Sequence, residues 1–136
     1  MSRDNIVRFR SEAFRRQAGR CYYCHVLMWN DDCALFAAQH QVSNPVAKGL
    51  QCTAEHLQAR RDGGKDVAPN IAAACRRCNL GRHRRKVAPA PAEFRDLVEK
   101  RVTRGKWHAR GVHKSGLVPS RAQYPTPSSF RSGRTM

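Results

Sequence analysis

Acidic residues are scarce in this chain. Ten Asp and Glu stand against 26 Lys and Arg among 136 residues, a formal net charge of +16. So one-sided a surface disfavours basic partners and favours a polyanion, of which nucleic acid is the commonest. Aromatic residues are few, at 7%, and apolar residues make up 40%, which permits a modest core but not a large one. No stretch approaches the roughly 20 apolar residues of a membrane span, so no membrane partner is expected. The opening Met-Ser-Arg-Asp-Asn-Ile-Val-Arg has no apolar run of the kind a secretory signal carries. That leads to the expectation of a reducing, cytoplasmic setting, in which a disulfide framework is disfavoured.

What the chain does have is cysteine in a pattern. Four of its six cysteines form two Cys-x-x-Cys pairs, Cys21/Cys24 and Cys75/Cys78. Two such pairs supply the four soft ligands of a closed tetrahedral zinc site. His25, next to the first pair, is a weaker substitute ligand. Cys33 and Cys52 have no partner by spacing and read as small buried residues. His40, His108 and His113 likewise pair with nothing by spacing, and Tyr22, Tyr23, Trp29 and Trp107 read as packing residues.

Local patterning gives an outline. Residues 5–18 form a predicted helix, with Ile6, Phe9, Ala13 and Phe14 on one face and Gly19 as its stop. Residues 29–48, rich in turn formers, read as a loop-rich insert. Residues 50–56 read as a strand, Arg60–Lys65 as a flexible charged loop, and residues 70–74 as a second strand or a helix entry. Residues 76–86 read as a basic helix. After a Pro-rich break, Phe94, Leu97, Val98 and Val102 mark an amphipathic helix over 92–104. After Gly105 the pattern dissolves into Gly, Ser, Pro and basic residues, and a disordered tail is expected from about 110. The division is therefore 1–87 for the main domain, 88–109 for a docked helix and 110–136 for the tail.

The span between the cysteine pairs, residues 25–74, is longer than in a simple zinc ribbon, and its contents carry chemistry. Glu55-His56 closes the first strand, and Asn79 and His83 follow the second pair. Four residues apart on a helix, Asn79 and His83 project from one face. A carboxylate from Glu55 would complete a mixed oxygen and nitrogen set suited to Mg²⁺, Mn²⁺ or another divalent ion.

The run Glu55-His56, Asn70 and Asn79, flanked by the two cysteine pairs and the Gly63-Gly64 loop, resembles the HNH endonuclease family in its zinc-bearing branch, common in bacteria and their phages. The resemblance covers roughly residues 7–86. It implies a small α+β fold with a ββα-metal core, the His-Me finger, stapled by a four-cysteine zinc site and flanked by helices and a basic tail. It also implies His56 as general base, Asn70 as the residue that holds the loop and the His orientation, and Glu55, Asn79 and His83 as ligands of one catalytic ion. Glu55 stands where most members carry Asp, a reach longer by one methylene. An unperturbed imidazole titrates near pH 6.5, about right for taking a proton from water. Arg76, Arg77, Arg82, Arg84 and Arg85 line the basic helix and are candidates for phosphate contact. The expected activity is metal-dependent hydrolysis of DNA, by nicking or double-strand cutting, with structural Zn²⁺ and catalytic Mg²⁺ or Mn²⁺. Backbone contacts do not separate DNA from RNA. The competing reading is a noncatalytic zinc-knuckle protein that binds nucleic acid by charge alone.

Overall fold

Helix α1, Arg3–Arg16, opens the computed structural model, which describes residues 3–120, 123 and 124. The helix ends where Ala18 and Gly19 take φ of 56° and 76°, a left-handed exit that glycine accepts without Cβ strain. Gln17, just past it, is buried and pins the helix end to the sheet. Its amide nitrogen donates to the Ala73 carbonyl at 2.8 Å, and its Oε1 accepts from the Ala73 N–H at 3.1 Å.

The sheet is a two-stranded antiparallel hairpin, β1 Cys52–His56 and β2 Ile71–Cys75, with Glu55 opposite Ala72 and His56 opposite Ile71. Every residue of β2 is buried. Its three alanines keep that strand thin, so that α1 packs close on the hairpin. Residues 57–70 join the strands. Gly63 sits at φ 91°, and a Cβ on Gly64 would meet the Gln58 carbonyl oxygen at 1.7 Å. The pair is thus required by backbone geometry at both positions. The loop expected to be flexible is a tied structure: it contains a 3-10 turn, Arg60–Asp62, and Asn70 bonds across it.

Helix α4, Arg76–His83, follows β2 directly and is capped by the Cys75 sulfur, which accepts from the Cys78 N–H. Together β1, β2 and α4 make the small ββα unit. Helix α5, Pro91–Thr103, buries Phe94, Val98 and Val102 as its 3.6-residue period predicts.

Two stretches differ from the sequence reading. Residues 29–48 are not loop-rich: they hold α2, Cys33–His40, and α3, Asn44–Lys48. The turn formers there are helix caps, since the Asp32 side chain accepts from the Leu35 N–H and Ser43 from the Val46 N–H. The onset of the expected tail is also ordered. Helix α6, Arg110–Lys114, buries Val112, and Leu117 joins the same core as Trp107. The expectation for residues 121, 122 and 125–136 lies outside the described residues.

Candidate active site and metal centre

The first knuckle and the β2–α4 junction bring Cys21, Cys24, Cys75 and Cys78 together, their sulfurs all within 4.8 Å of one another and all four residues fully buried. Burial pushes the Cys24, Cys75 and Cys78 thiols up, whereas at Cys21 hydrogen bonds from the other three overcome burial and drive the thiol down. Four sulfurs this close favour proton sharing until a cation replaces the protons, which is the chemistry of a thiolate metal site. The Cys75 N–H points at Cys21 Sγ and the Cys78 N–H at Cys75 Sγ.

Two ring nitrogens from the C-terminal segment, one of them the Trp107 indole N–H donor, complete this surround. Trp107 Nε1 lies 3.3 Å from Cys78 Sγ, and His108 Nε2 lies 3.2 Å from Cys24 Sγ. His108, for which spacing supplies no partner, is therefore tied to the cluster, with burial lowering its pKa to about 4. His25 instead meets the Glu99 carboxylate and takes no part in the four-sulfur group. Cys52 is buried and Cys33 only partly so.

A cavity of about 320 Å³ is lined by Glu55, His56, Asn79 and His83, with Ala54, Ala59, Arg60 and Arg61. Thr53 and Glu55, two apart on a strand and so on one face, both meet α4. Asn79 Nδ2 donates to Thr53 Oγ1 at 3.0 Å and to the Ala54 carbonyl at 3.1 Å, with O and N assigned by that bonding. Its Oδ1 accepts no hydrogen bond among the described residues.

Glu55 is fully buried, and its two oxygens have different partners. Oε2 accepts from the Tyr23 hydroxyl at 2.7 Å and from Arg82 Nη1 at 3.0 Å. Oε1 lies 2.8 Å from His83 Nε2. Burial, with the Glu55 charge adding to it, pushes the Tyr23 hydroxyl pKa well up, which keeps it a donor. Glu55 Oε1, His83 Nε2 and Asn79 Oδ1 make a mixed oxygen and nitrogen donor set on one pocket. That set fits a hard or borderline divalent cation.

His56 has a partner that sequence reasoning missed. Asp66 Oδ1 lies 2.7 Å from His56 Nε2, and Arg60 Nε lies 3.1 Å from the same oxygen. The hydrogen bond with His56, followed by that with Arg60, holds the Asp66 carboxyl below its usual range. The only sequence signal for Asp66 is its place within the loop that Asn70 closes. Asn70 does not line the pocket. Its Nδ2 donates to the Gln58 and Lys65 carbonyls, each at 3.0 Å, and its Oδ1 accepts from the Gln58 N–H at 2.8 Å.

The five candidate phosphate-contact arginines separate. Arg76, Arg84 and Arg85 are exposed. Arg77 stacks on Trp107, its guanidinium carbon 4.3 Å from the ring centre. Arg82 must be removed from the set: its side chain is 3% exposed, and its nitrogens bond Glu55 and the carbonyls of His56, Leu57 and Pro89. It is an internal strut. Arg60 and Arg61, absent from the sequence-derived set, line the pocket instead.

No helix among the described residues is long and apolar enough to cross a membrane. Searches of curated proteins and of solved structures find no match. Residues 43–85 match the family model described as HNH endonuclease. That span covers both strands, the Asn70-closed loop, α4 and the second cysteine pair, while the first pair joins from outside it through the fold. Residues 43–85 are thus similar to an HNH endonuclease domain, and they sit in a small α+β structure with four cysteines placed to bind a metal.

Proposed function

We propose that this protein is a metal-dependent endonuclease that hydrolyses DNA phosphodiester bonds, nicking or cutting to leave 5′-phosphate and 3′-hydroxyl ends. The observation that carries the reading is the convergence of Glu55, His56, Asn79 and His83 on one cavity next to a four-cysteine cluster. His56 is the general base. Asp66 holds the Nε2 side of the ring, which leaves Nδ1 to accept the proton of an attacking water. Asn70 fixes the loop that carries Asp66, and so sets the imidazole indirectly. Glu55, Asn79 and His83 hold one divalent ion, Mg²⁺ or Mn²⁺; when bound it supplies Lewis-acid stabilisation of the charge that develops on the phosphate. Arg76, Arg84 and Arg85, with Arg60 and Arg61 at the pocket, neutralise flanking phosphates. Zn²⁺ occupies the thiolate site and is structural, since four protein ligands leave no open position. The setting is the cytoplasm of a bacterium or of a phage-infected host. The nuclease unit spans residues 1–87, with the helix of 88–109 docked on it.

Supercoiled plasmid incubated with the zinc-loaded protein and Mg²⁺ or Mn²⁺ tests this. Relaxed or linear product that a chelator prevents is the expected result. Retardation of the plasmid with no strand break, at any metal concentration, would instead favour a noncatalytic zinc-knuckle binder.

A further inference from the structure

Tyr23 lies between Cys21 and Cys24, two members of the four-sulfur cluster, and its own N–H points at Cys21 Sγ at 3.4 Å. The ring is fully buried and stands edge-on to Phe94, with 5.0 Å between centroids. Its hydroxyl reaches the other centre, 2.7 Å from Glu55 Oε2. A single side chain thus spans the thiolate cluster and the carboxylate of the pocket. Phenylalanine would fill the same volume, so what tyrosine adds is its one polar group.

That group acts on a carboxylate with freedom to lose. A glutamate side chain has three torsions, and either carboxylate oxygen, or both, can turn toward a cation. Here Tyr23 and Arg82 both donate to Oε2, and Oε1 is left beside His83 Nε2. We infer that Tyr23 is a positioning residue: its hydroxyl, anchored by the cysteine knuckle, fixes Glu55 so that Oε1 alone is presented to the divalent ion. This rests on the assignment of Glu55, Asn79 and His83 as ligands in the proposed nuclease. It also makes the two metal centres interdependent, because a knuckle that loses its metal releases the residue that sets the carboxylate.

The test is Tyr23→Phe in the full chain, with Mn²⁺ as the probe. Zinc content, the thermal melt and the Mn²⁺ dissociation constant by calorimetry are read on the same preparation. The substituted protein is expected to keep its zinc and its cooperative melt but to bind Mn²⁺ about tenfold more weakly, the low end of what losing a ligand-orienting partner costs. The Mn²⁺ concentration for half-maximal plasmid cleavage should rise by the same factor, a change that a merely space-filling ring would not produce. Parent-like Mn²⁺ affinity in Tyr23→Phe overturns the inference. Should that variant lose its zinc, the parent decides: Mn²⁺ must perturb the tyrosine near-ultraviolet signal, and a silent titration overturns it as well. Glu55→Gln separates the two levels of argument. If it binds Mn²⁺ like the parent, the ion-site assignment itself fails and the inference with it; if it loses Mn²⁺ while Tyr23→Phe does not, only the role of Tyr23 is wrong.

Discussion

Asp66 Oδ1 and His56 Nε2 are 2.7 Å apart, and Arg60 Nε approaches both of them, at 3.1 Å and 3.3 Å. A carboxylate on one nitrogen holds the proton there and leaves the other as acceptor, as in other base–orienter pairs. Asp66→Ala removes the orienting group while leaving Asn70 to close the loop. Single-turnover plasmid cleavage should slow by about 10- to 100-fold, the usual cost of losing such a partner, with zinc content unchanged. Parent-like cleavage would show that His56 needs no help from the loop.

Arg82 stabilises more than it recognises. It and Glu55 form a buried pair, 3.0 Å apart, with side chains 3% and 1% exposed. Removing one member strands the other charge in the interior, at a cost of about 3–5 kcal/mol. Chemical denaturation of zinc-loaded Arg82→Ala should therefore show a large loss of stability, whereas Arg84→Ala should melt like the parent. Equal stabilities for the two would place Arg82 back on the surface.

The salt dependence of DNA binding separates the arginines in a second way. Each phosphate contact contributes roughly one unit to the slope of log affinity against log salt. Arg84→Ala and Arg85→Ala should each flatten that slope by about one unit and weaken binding on every sequence alike. A slope unmoved by both substitutions would place the phosphate backbone on another face.

The cysteine cluster ties the first knuckle to the β2–α4 junction and carries the Trp107–His108 segment over it. Elemental analysis should find one zinc per chain. Strong chelation, or Cys75→Ser, should abolish the cooperative melt, since structural zinc supplies folding free energy directly. Cys33→Ser, at a partly exposed position outside the cluster, should leave zinc content unchanged. A protein that melts cooperatively without metal would contradict this.

Much of the site was readable from residue spacing because its parts are local. Glu55-His56 ends a strand, Asn79 and His83 share a helix face, and two Cys-x-x-Cys pairs can meet only where the chain turns back. Reading failed where one residue type serves two purposes. Asp32 and Ser43 look like loop residues and are helix caps. Arg82 looks like one more basic surface residue, yet its place one position before His83 turns it inward onto Glu55. Asp66 and Tyr23 carried no signal of their own, because their partners lie 10 and 32 residues away and only the hairpin and the knuckle bring them together. Composition likewise concealed the ordered segment around α6, in which Trp107, Val112 and Leu117 are buried and Val118 half-buried against the core.

The proposed chemistry depends above all on His56 as the base. Supercoiled plasmid, treated with Mg²⁺ or Mn²⁺ and either the parent or His56→Ala at matched zinc content and matched DNA affinity, tests it most directly. Metal-dependent relaxation by the parent and none by His56→Ala is the expected result. Strand breaks produced by His56→Ala at the parent's rate would contradict it.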